Sequence, residues 1–116
     1  MPSKNPAQRL RDILDNIILI DEFTAGVAYG GFIADTKTVY AVVRALEIVS
    51  EATRRLPEEL RDRYPGIDWK AIAAAGNVYR HEYEGVDATL LWYTARNGTQ
   101  ALRVMAEAEL ARTEVA

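Results

Sequence analysis

The chain has 116 residues, of which 49% are hydrophobic and 27% are charged, and its formal net charge is −3. We therefore expect one globular domain, residues 1–116, with enough apolar side chains to form a core of its own. The absence of cysteine excludes disulfides, thiol catalysis and cysteine-ligated metals. The negative net charge argues against broad, sequence-independent binding of nucleic acid.

The N-terminal segment, residues 1–11, is polar and lacks the apolar centre of a signal peptide. No apolar run approaches the roughly 20 residues that are needed to cross a membrane. These two observations predict a soluble, cytoplasmic protein.

Helical periodicity predicts a first helix from about Pro6 to Glu22. Its apolar residues share one stripe of the helix surface, which comprises Leu10, Ile13, Leu14, Ile17 and Ile20. Three glycines follow between Phe23 and Ala34. Glycines at this density disfavour a continuous helix, so we predict a turn or loop there.

The second predicted helix begins after Asp35, a typical N-cap residue, and is ended by Pro57. Its apolar stripe is narrow and flanked by alanines, and it comprises Val39, Val42, Leu46, Val49 and Leu56. Small neighbours allow another helix to approach closely. The stripe therefore fits either packing inside a bundle or a dimer seam.

A short helical turn is predicted over Glu58–Arg63, before the turn signal Tyr64-Pro65-Gly66. Asp68 is a candidate cap for a third helix, which begins at Trp69 and ends near Gly85.

Asp87 is a candidate cap for a fourth helix, which runs from Ala88 to about Ala111. The pair Asn97-Gly98 in its middle predicts a break or kink. No strand pattern persists for more than a few residues. Four main helices joined by short connections predict an all-α protein, an antiparallel bundle of four to five helices.

His81 is the only histidine in the chain. One imidazole without cysteine argues against a zinc site within one chain. The only serines, Ser3 and Ser50, lie in the N-terminal tail and in a predicted helix, which gives a serine triad little support. The sequence contains no phosphate loop and no dinucleotide-binding fingerprint. We therefore expect no metal and no cofactor.

The remaining candidate site is the cluster of Asn77, Arg80, His81 and Tyr83. On a helix, Asn77 and His81 share one face, whereas Arg80 lies about 100° and Tyr83 about 200° from His81. Histidine transfers protons near neutral pH, arginine holds phosphate oxygens with parallel donors, and asparagine can orient a hydroxyl or a phosphate. This combination suits phosphate chemistry.

A structural interpretation of the same residues stays open. A single histidine near a helix end commonly caps carbonyl groups. Trp69 and Trp92 are more typical of core anchors than of base-stacking platforms. Arg54 and Arg55 lie beside Glu58 and Glu59 in the sequence, and together with Glu51 they fit a solvated helix surface.

Several ordered segments resemble the HepT-like proteins of the HEPN superfamily, and the resemblance covers nearly the whole chain. The segments are Asp21-Glu22-Phe23-Thr24, Phe32-Ile33-Ala34-Asp35-Thr36-Lys37-Thr38, Leu46-Glu47-Ile48-Val49-Ser50-Glu51-Ala52, Leu56-Pro57-Glu58-Glu59-Leu60-Arg61, Tyr64-Pro65-Gly66-Ile67-Asp68-Trp69 and His81-Glu82-Tyr83-Glu84-Gly85-Val86-Asp87. The resemblance implies a helical bundle that forms a homodimer, in which two copies of a motif ending in His-x-Tyr face each other across a cleft. It also implies a toxin that cleaves RNA without a metal. The implied partner is a minimal nucleotidyltransferase (MNT) antitoxin, which silences the toxin by transferring AMP to the tyrosine of the motif.

The resemblance also assigns roles to single residues. His81 corresponds to the catalytic histidine, Asn77 to the polar residue that follows the motif arginine, and Tyr83 to the tyrosine that accepts AMP. Glu51 corresponds to a supporting glutamate on the second helix.

The motif arginine itself is expected at position 76, where this chain has Gly76. The nearest arginine is Arg80, which we take as the third catalytic candidate. Position 76 lies about 140° from His81 around a helix and Arg80 about 100° from it. We interpret these as different directions of approach to the cleft. A glycine within a helix also costs up to about 1 kcal/mol relative to alanine, which suggests close packing, a kink or room for a ligand.

Two functions therefore remain open on the sequence. One is a toxin that acts as a metal-independent endoribonuclease with its site in a dimer cleft. The alternative is a weak or inactive nucleotide-binding partner that serves as the AMP-transfer substrate of a nucleotidyltransferase. A third interpretation is a helical dimer with a purely scaffolding role.

Overall fold

The computed structural model describes residues 5–81 and 87–115, which are helical throughout apart from short connections and contain no strand. The helices are α1 (Ala7–Thr24), α2 (Tyr29–Ala34), α3 (Thr36–Arg54), α4 (Glu58–Asp62), α5 (Trp69–His81), α6 (Ala88–Tyr93) and α7 (Gln100–Val115). A π-helical segment, Thr94–Gly98, joins α6 to α7. The all-α bundle predicted from the sequence is confirmed.

Helix α3 is the centre of the bundle, because it packs against both α1 and α5 and also contacts α2. Helix α7 packs against α1. The apolar stripe of α3 is buried within the bundle, where Val42, Leu46 and Val49 lie between these helices. The choice left open by the sequence is thus decided in favour of packing inside the bundle.

The apolar core consists of two clusters along the bundle. The first joins α1, α3, α4 and α7, and its largest members are Leu10, Ile13, Ile17, Leu56, Leu60, Leu102 and Met105. The second joins the end of α1 to α2, α3 and α6, and it comprises Ile20, Phe32, Val42, Ala45, Leu46, Leu91 and Ala95.

The helix termini follow the capping residues that the sequence indicated. The carboxylate of Asp35 accepts from the backbone N–H of Thr38 at 3.3 Å. Asp68 accepts from the backbone N–H of Ala71 at 3.0 Å. Asp87 accepts from Thr89 and Leu90 at 2.8 and 3.2 Å. These bonds satisfy N–H groups that have no partner within their own helix.

The prediction of a loop over the whole of Phe23–Ala34 is wrong, because α2 occupies Tyr29–Ala34. Burial explains the difference. The ring of Phe32 is fully buried, and its centroid lies 5.0 Å from that of Trp92. Apolar burial outweighs the low helix propensity of the two glycines in the first turn. The turn that precedes α2 contains Gly26 at a φ of 71°, a conformation that favours glycine.

Both tryptophans are core anchors, as the sequence indicated. The indole N–H of Trp69 donates to the carbonyls of Arg61 and Tyr64 at 3.1 and 3.2 Å, which holds the segment after α4 against α5. Trp92 lies on Phe32 and beneath the guanidinium of Arg96, which is 5.6 Å from the ring centroid.

The predicted break at Asn97-Gly98 is confirmed, since both residues belong to the π-helical segment. The helix beyond it continues to Val115 rather than ending at Ala111. The predicted end of the third helix at Gly85 lies outside the described residues. No helix in the described parts of the chain combines the length and apolarity that a membrane span requires.

Candidate active site

Helix α5 carries three of the four residues of the candidate cluster. It is continuous from Trp69 to His81, so Asn77, Arg80 and His81 lie in its last two turns. Asn77 and His81 are four residues apart, which places their Cα atoms on one side of the helix, about 40° apart and about 6 Å along its axis.

The side of α5 that carries Asn77 faces solvent. The Asn77 side chain is exposed, and among the described residues no hydrogen bond to it occurs. The neighbouring Val78 is also exposed. An amide in this setting keeps its donors and acceptor available for a bound molecule.

Position 76 lies about 100° from Asn77 around α5, on the inward side, and Gly76 is buried. Because α5 is continuous, Arg80 stands one turn beyond Gly76 and only about 40° from it around the axis. The interpretation that these two positions approach from different directions is therefore wrong. Arg80 lies on nearly the same side of α5 as the position where the resemblance expects an arginine, displaced by about 6 Å along the helix.

Two of the remaining candidates, Arg80 and His81, lie in the last turn of α5, where the backbone is helical. Tyr83 lies outside the described residues.

Glu51 lies on α3 and lines a surface groove of ≈ 400 Å³ between α1 and α3. Its carboxylate pairs with Arg55 at 3.3 Å and with Arg54 at 3.8 Å. The adjacent residue of α3, Ser50, bonds to α5 through its hydroxyl, which donates to the carbonyl of Ile72 at 2.8 Å. Glu51 lies about 100° from Ser50 around α3, so its Cα is on a different side of α3 from the one that bonds to α5.

The inward side of α5 also carries a tyrosine, Tyr79, that was not among the candidate residues predicted from the sequence. Tyr79 is half-buried against the second core cluster. Burial raises the pKa of Tyr79, and a hydrogen bond with the side chain of Thr94 opposes the rise only in part. Its hydroxyl is therefore neutral at physiological pH and acts as a packing and hydrogen-bonding group.

A small cavity of ≈ 70 Å³ lies next to Tyr79, between α3, α5 and the start of α7. Its polar lining consists of Ser50, Tyr79, Thr94 and Thr99. In the sequence, the helix break at Asn97-Gly98 was only an indirect sign of this cavity. A cavity depends on which helices pack together, and the spacing of residues along one helix does not determine that. In the described parts of the chain, no three carboxylate or histidine side chains are grouped as metal ligands would be.

The chain is similar to known proteins over most of its length. The family model described as Ribonuclease HepT-like matches residues 13–109. A protein of Thermococcus cleftensis named "Probable ribonuclease HepT" is 38% identical over 94 residues, which cover 81% of this chain and 86% of the relative. A protein of Methanocaldococcus jannaschii named "Putative RNase MJ1380" is 40% identical over 83 residues, covering 72% of this chain and 76% of the relative.

A third relative, from Caldanaerobacter subterraneus and named "Putative RNase TTE0752", is 35% identical over 91 residues. That match covers 78% of this chain and 81% of the relative. The comparison with solved structures found no match.

Proposed function

The chain belongs to the HepT-like ribonuclease family, and we propose that it is an endoribonuclease that acts as the toxin of a toxin–antitoxin pair. The observation that carries this proposal is the arrangement on α5. Asn77 and His81 are one turn apart on a single side of the helix, the side chain of Asn77 is exposed, and Arg80 stands beside them. The names of the relatives support ribonuclease activity as the chemistry of this arrangement.

In the proposed reaction, His81 removes the proton from a ribose 2′-hydroxyl, and the resulting oxygen attacks the adjacent phosphorus. The bond from phosphorus to the 5′-oxygen breaks, and that oxygen leaves with a proton. Arg80 holds the phosphate oxygens, whose negative charge increases in the transition state, and Asn77 orients the substrate. Imidazole groups can act as both the base and the acid in these proton transfers, so the proposed reaction uses no metal.

The reaction needs a base and an acid, yet each chain has one histidine. We propose that a homodimer resolves this, since it brings a second His81 to the same cleft. Light scattering at several protein concentrations tests the dimer. A strict monomer at high concentration contradicts the proposal of a shared cleft.

Arg80 is the proposed substitute for the missing motif arginine. Its Cα is one turn from Gly76 and on nearly the same side of α5. A long side chain can cover a displacement of this size, and its planar guanidinium can still bind two phosphate oxygens.

The experiment uses purified protein that is free of any partner, with a defined RNA and with a chelator present. Wild type should cleave the RNA, and His81→Ala should lower the rate by about 10²- to 10⁴-fold, the usual contribution of general acid–base catalysis. Equal cleavage by wild type and His81→Ala contradicts the proposal. Loss of wild-type activity on addition of the chelator contradicts metal independence.

A matched pair of arginine variants tests the role of Arg80. Arg80→Ala should lower the cleavage rate by about 10²-fold or more, as the removal of a transition-state donor does. Arg44→Ala is the control, because Arg44 is exposed and pairs with Glu47 on its own helix. Equal rates for the two variants contradict a catalytic role for Arg80.

The buried Gly76 favours a second candidate function. Without the motif arginine, the chain would be a weak nuclease whose role is to receive AMP on Tyr83 from a partner nucleotidyltransferase. Intact mass after incubation with that enzyme and ATP tests this. The added AMP should be lost in Tyr83→Phe and kept in Tyr93→Phe, a control at an exposed tyrosine.

A further inference from the structure

Thr99 differs from the other buried threonines of the helices. The hydroxyls of Thr24 and Thr53 donate to carbonyls of their own helices at 2.9 and 2.7 Å. Thr99 is 2% exposed, and its hydroxyl is a buried group to which the described residues offer no hydrogen-bond partner. A buried hydroxyl without a partner costs desolvation free energy, so it calls for an explanation.

The π-helical segment explains why Thr99 lacks the usual intrahelical bond. Thr99 directly follows Thr94–Gly98, where the wider helical turn interrupts the regular ladder of carbonyls. Thr99 is also one of the residues that line the cavity of ≈ 70 Å³ between α3, α5 and the start of α7.

The cavity meets the two requirements for internal water. Its volume exceeds the roughly 10–15 Å³ that one water molecule needs by the same measure. Besides Thr99, its lining includes the hydroxyl-bearing side chains of Ser50, Tyr79 and Thr94, and a buried water molecule usually makes about three hydrogen bonds. The rest of the wall is apolar, which confines the water to this polar side.

We infer that this cavity is an internal water site and that Thr99 is its anchor. The bound water joins the inner side of α5, through Tyr79, to the start of α7. It therefore holds in place the helix that carries Asn77 and His81. The water site does not depend on ribonuclease activity, and its tests measure stability, hydration and exchange.

Four side chains at position 99 test the anchor by urea unfolding. Thr99→Val removes the hydroxyl at nearly constant shape, and Thr99→Ser and Thr99→Ala repeat the comparison without the methyl group. Each removal of the hydroxyl should lower the folding equilibrium constant by roughly fivefold, as the loss of a hydrogen bond does. An unchanged or higher constant in Thr99→Val overturns the inference, because a hydroxyl in a dry cavity is better replaced by a methyl group.

Two NMR measurements complete the test. Nuclear Overhauser effects between long-lived water and the Thr99 methyl group should appear in the unchanged chain, and their absence overturns the inference. Amide exchange tests the connection to α5. Exchange at Ile72 and Tyr79 should become several-fold faster in Thr99→Val and recover in Thr99→Ser, whereas exchange that is equal in both variants contradicts the bridging role.

Discussion

Glu109 shows how a single charged residue can stabilise the end of this bundle. Its carboxylate is 3% exposed, accepts from the hydroxyl of Tyr64 at 2.7 Å, and is paired with the guanidinium of Arg63. These bonds tie the segment after α4 to α7. A buried carboxylate is tolerated because its partners replace the hydrogen bonds of water.

We predict that Glu109→Gln lowers the free energy of unfolding by about 1.5–3 kcal/mol, the range for hydrogen bonds to charged groups. The lower part of that range is expected, because Arg63 is partly exposed and water can solvate it again. Urea unfolding measures the change. Glu107→Gln is the control, since Glu107 is exposed and pairs with Arg103 on its own helix. Equal losses in the two variants would contradict the prediction.

The same residue predicts a pH dependence of stability. Burial by itself raises the pKa of Glu109, but the hydrogen bonds from Arg63 and Tyr64 and the charges of Arg63 and Arg112 outweigh it, so the pKa is lowered from its ordinary value of 4.5. A carboxylate with a lowered pKa in the folded state contributes stability above its unfolded pKa and loses it as the pH falls through the folded value.

The difference in melting temperature between wild type and Glu109→Gln should therefore be constant from pH 7 down to about pH 5 and should narrow below pH 4.5. Thermal unfolding followed by circular dichroism at several pH values measures it. A difference that stays constant down to about pH 3 argues against the ionised pair.

Among the elements, α5 depends on its N-terminal cap. Asp68 accepts from the backbone N–H of Ala71, one of the first N–H groups of the helix. We predict that Asp68→Ala lowers the free energy of unfolding by about 1 kcal/mol. Urea unfolding measures this, with Asp62→Ala as the control, because Asp62 lies in the last turn of α4 and caps no helix N-terminus. A similar cost in the control would show that the loss reflects charge rather than capping.

Helix α2 is anchored in the core by the aromatic side chain of Phe32, its buried residue. Phe32 is fully buried between α3 and Trp92, whereas the adjacent Ile33 is 46% exposed. We predict that Phe32→Ala costs about 3–5 kcal/mol, the usual range for a large side chain removed from a core. Ile33→Ala should cost less than about 1 kcal/mol. Equal costs in urea unfolding would mean that α2 is not anchored through Phe32.

At the scale of the whole molecule, the net charge of −3 limits how RNA can bind. Affinity has to come from a few local phosphate contacts rather than from a basic surface, and each contact with a single strand contributes a salt slope of about −0.7. With about two or three contacts, affinity should fall roughly tenfold between about 50 and about 200 mM salt. Titration of RNA with the His81→Ala protein measures this without cleavage. A thousandfold fall would indicate an extended phosphate track instead.

Local chemistry allowed several features to be predicted from the sequence. The caps Asp35, Asp68 and Asp87 and the break at Asn97-Gly98 act within a few residues of the chain, so their effects could be inferred from order and spacing. The resemblance that the family comparison then confirmed is likewise carried by ordered segments.

The tertiary structure decided which side of each helix is enclosed. It placed Phe32 in the core and thereby made α2 a helix in spite of its glycines. The packing of the helices buries Gly76, leaves Asn77 exposed and forms the cavity next to Tyr79. Helical spacing defines only the angle between two residues of one helix, whereas burial depends on the neighbouring helices that cover them, which are distant in the sequence.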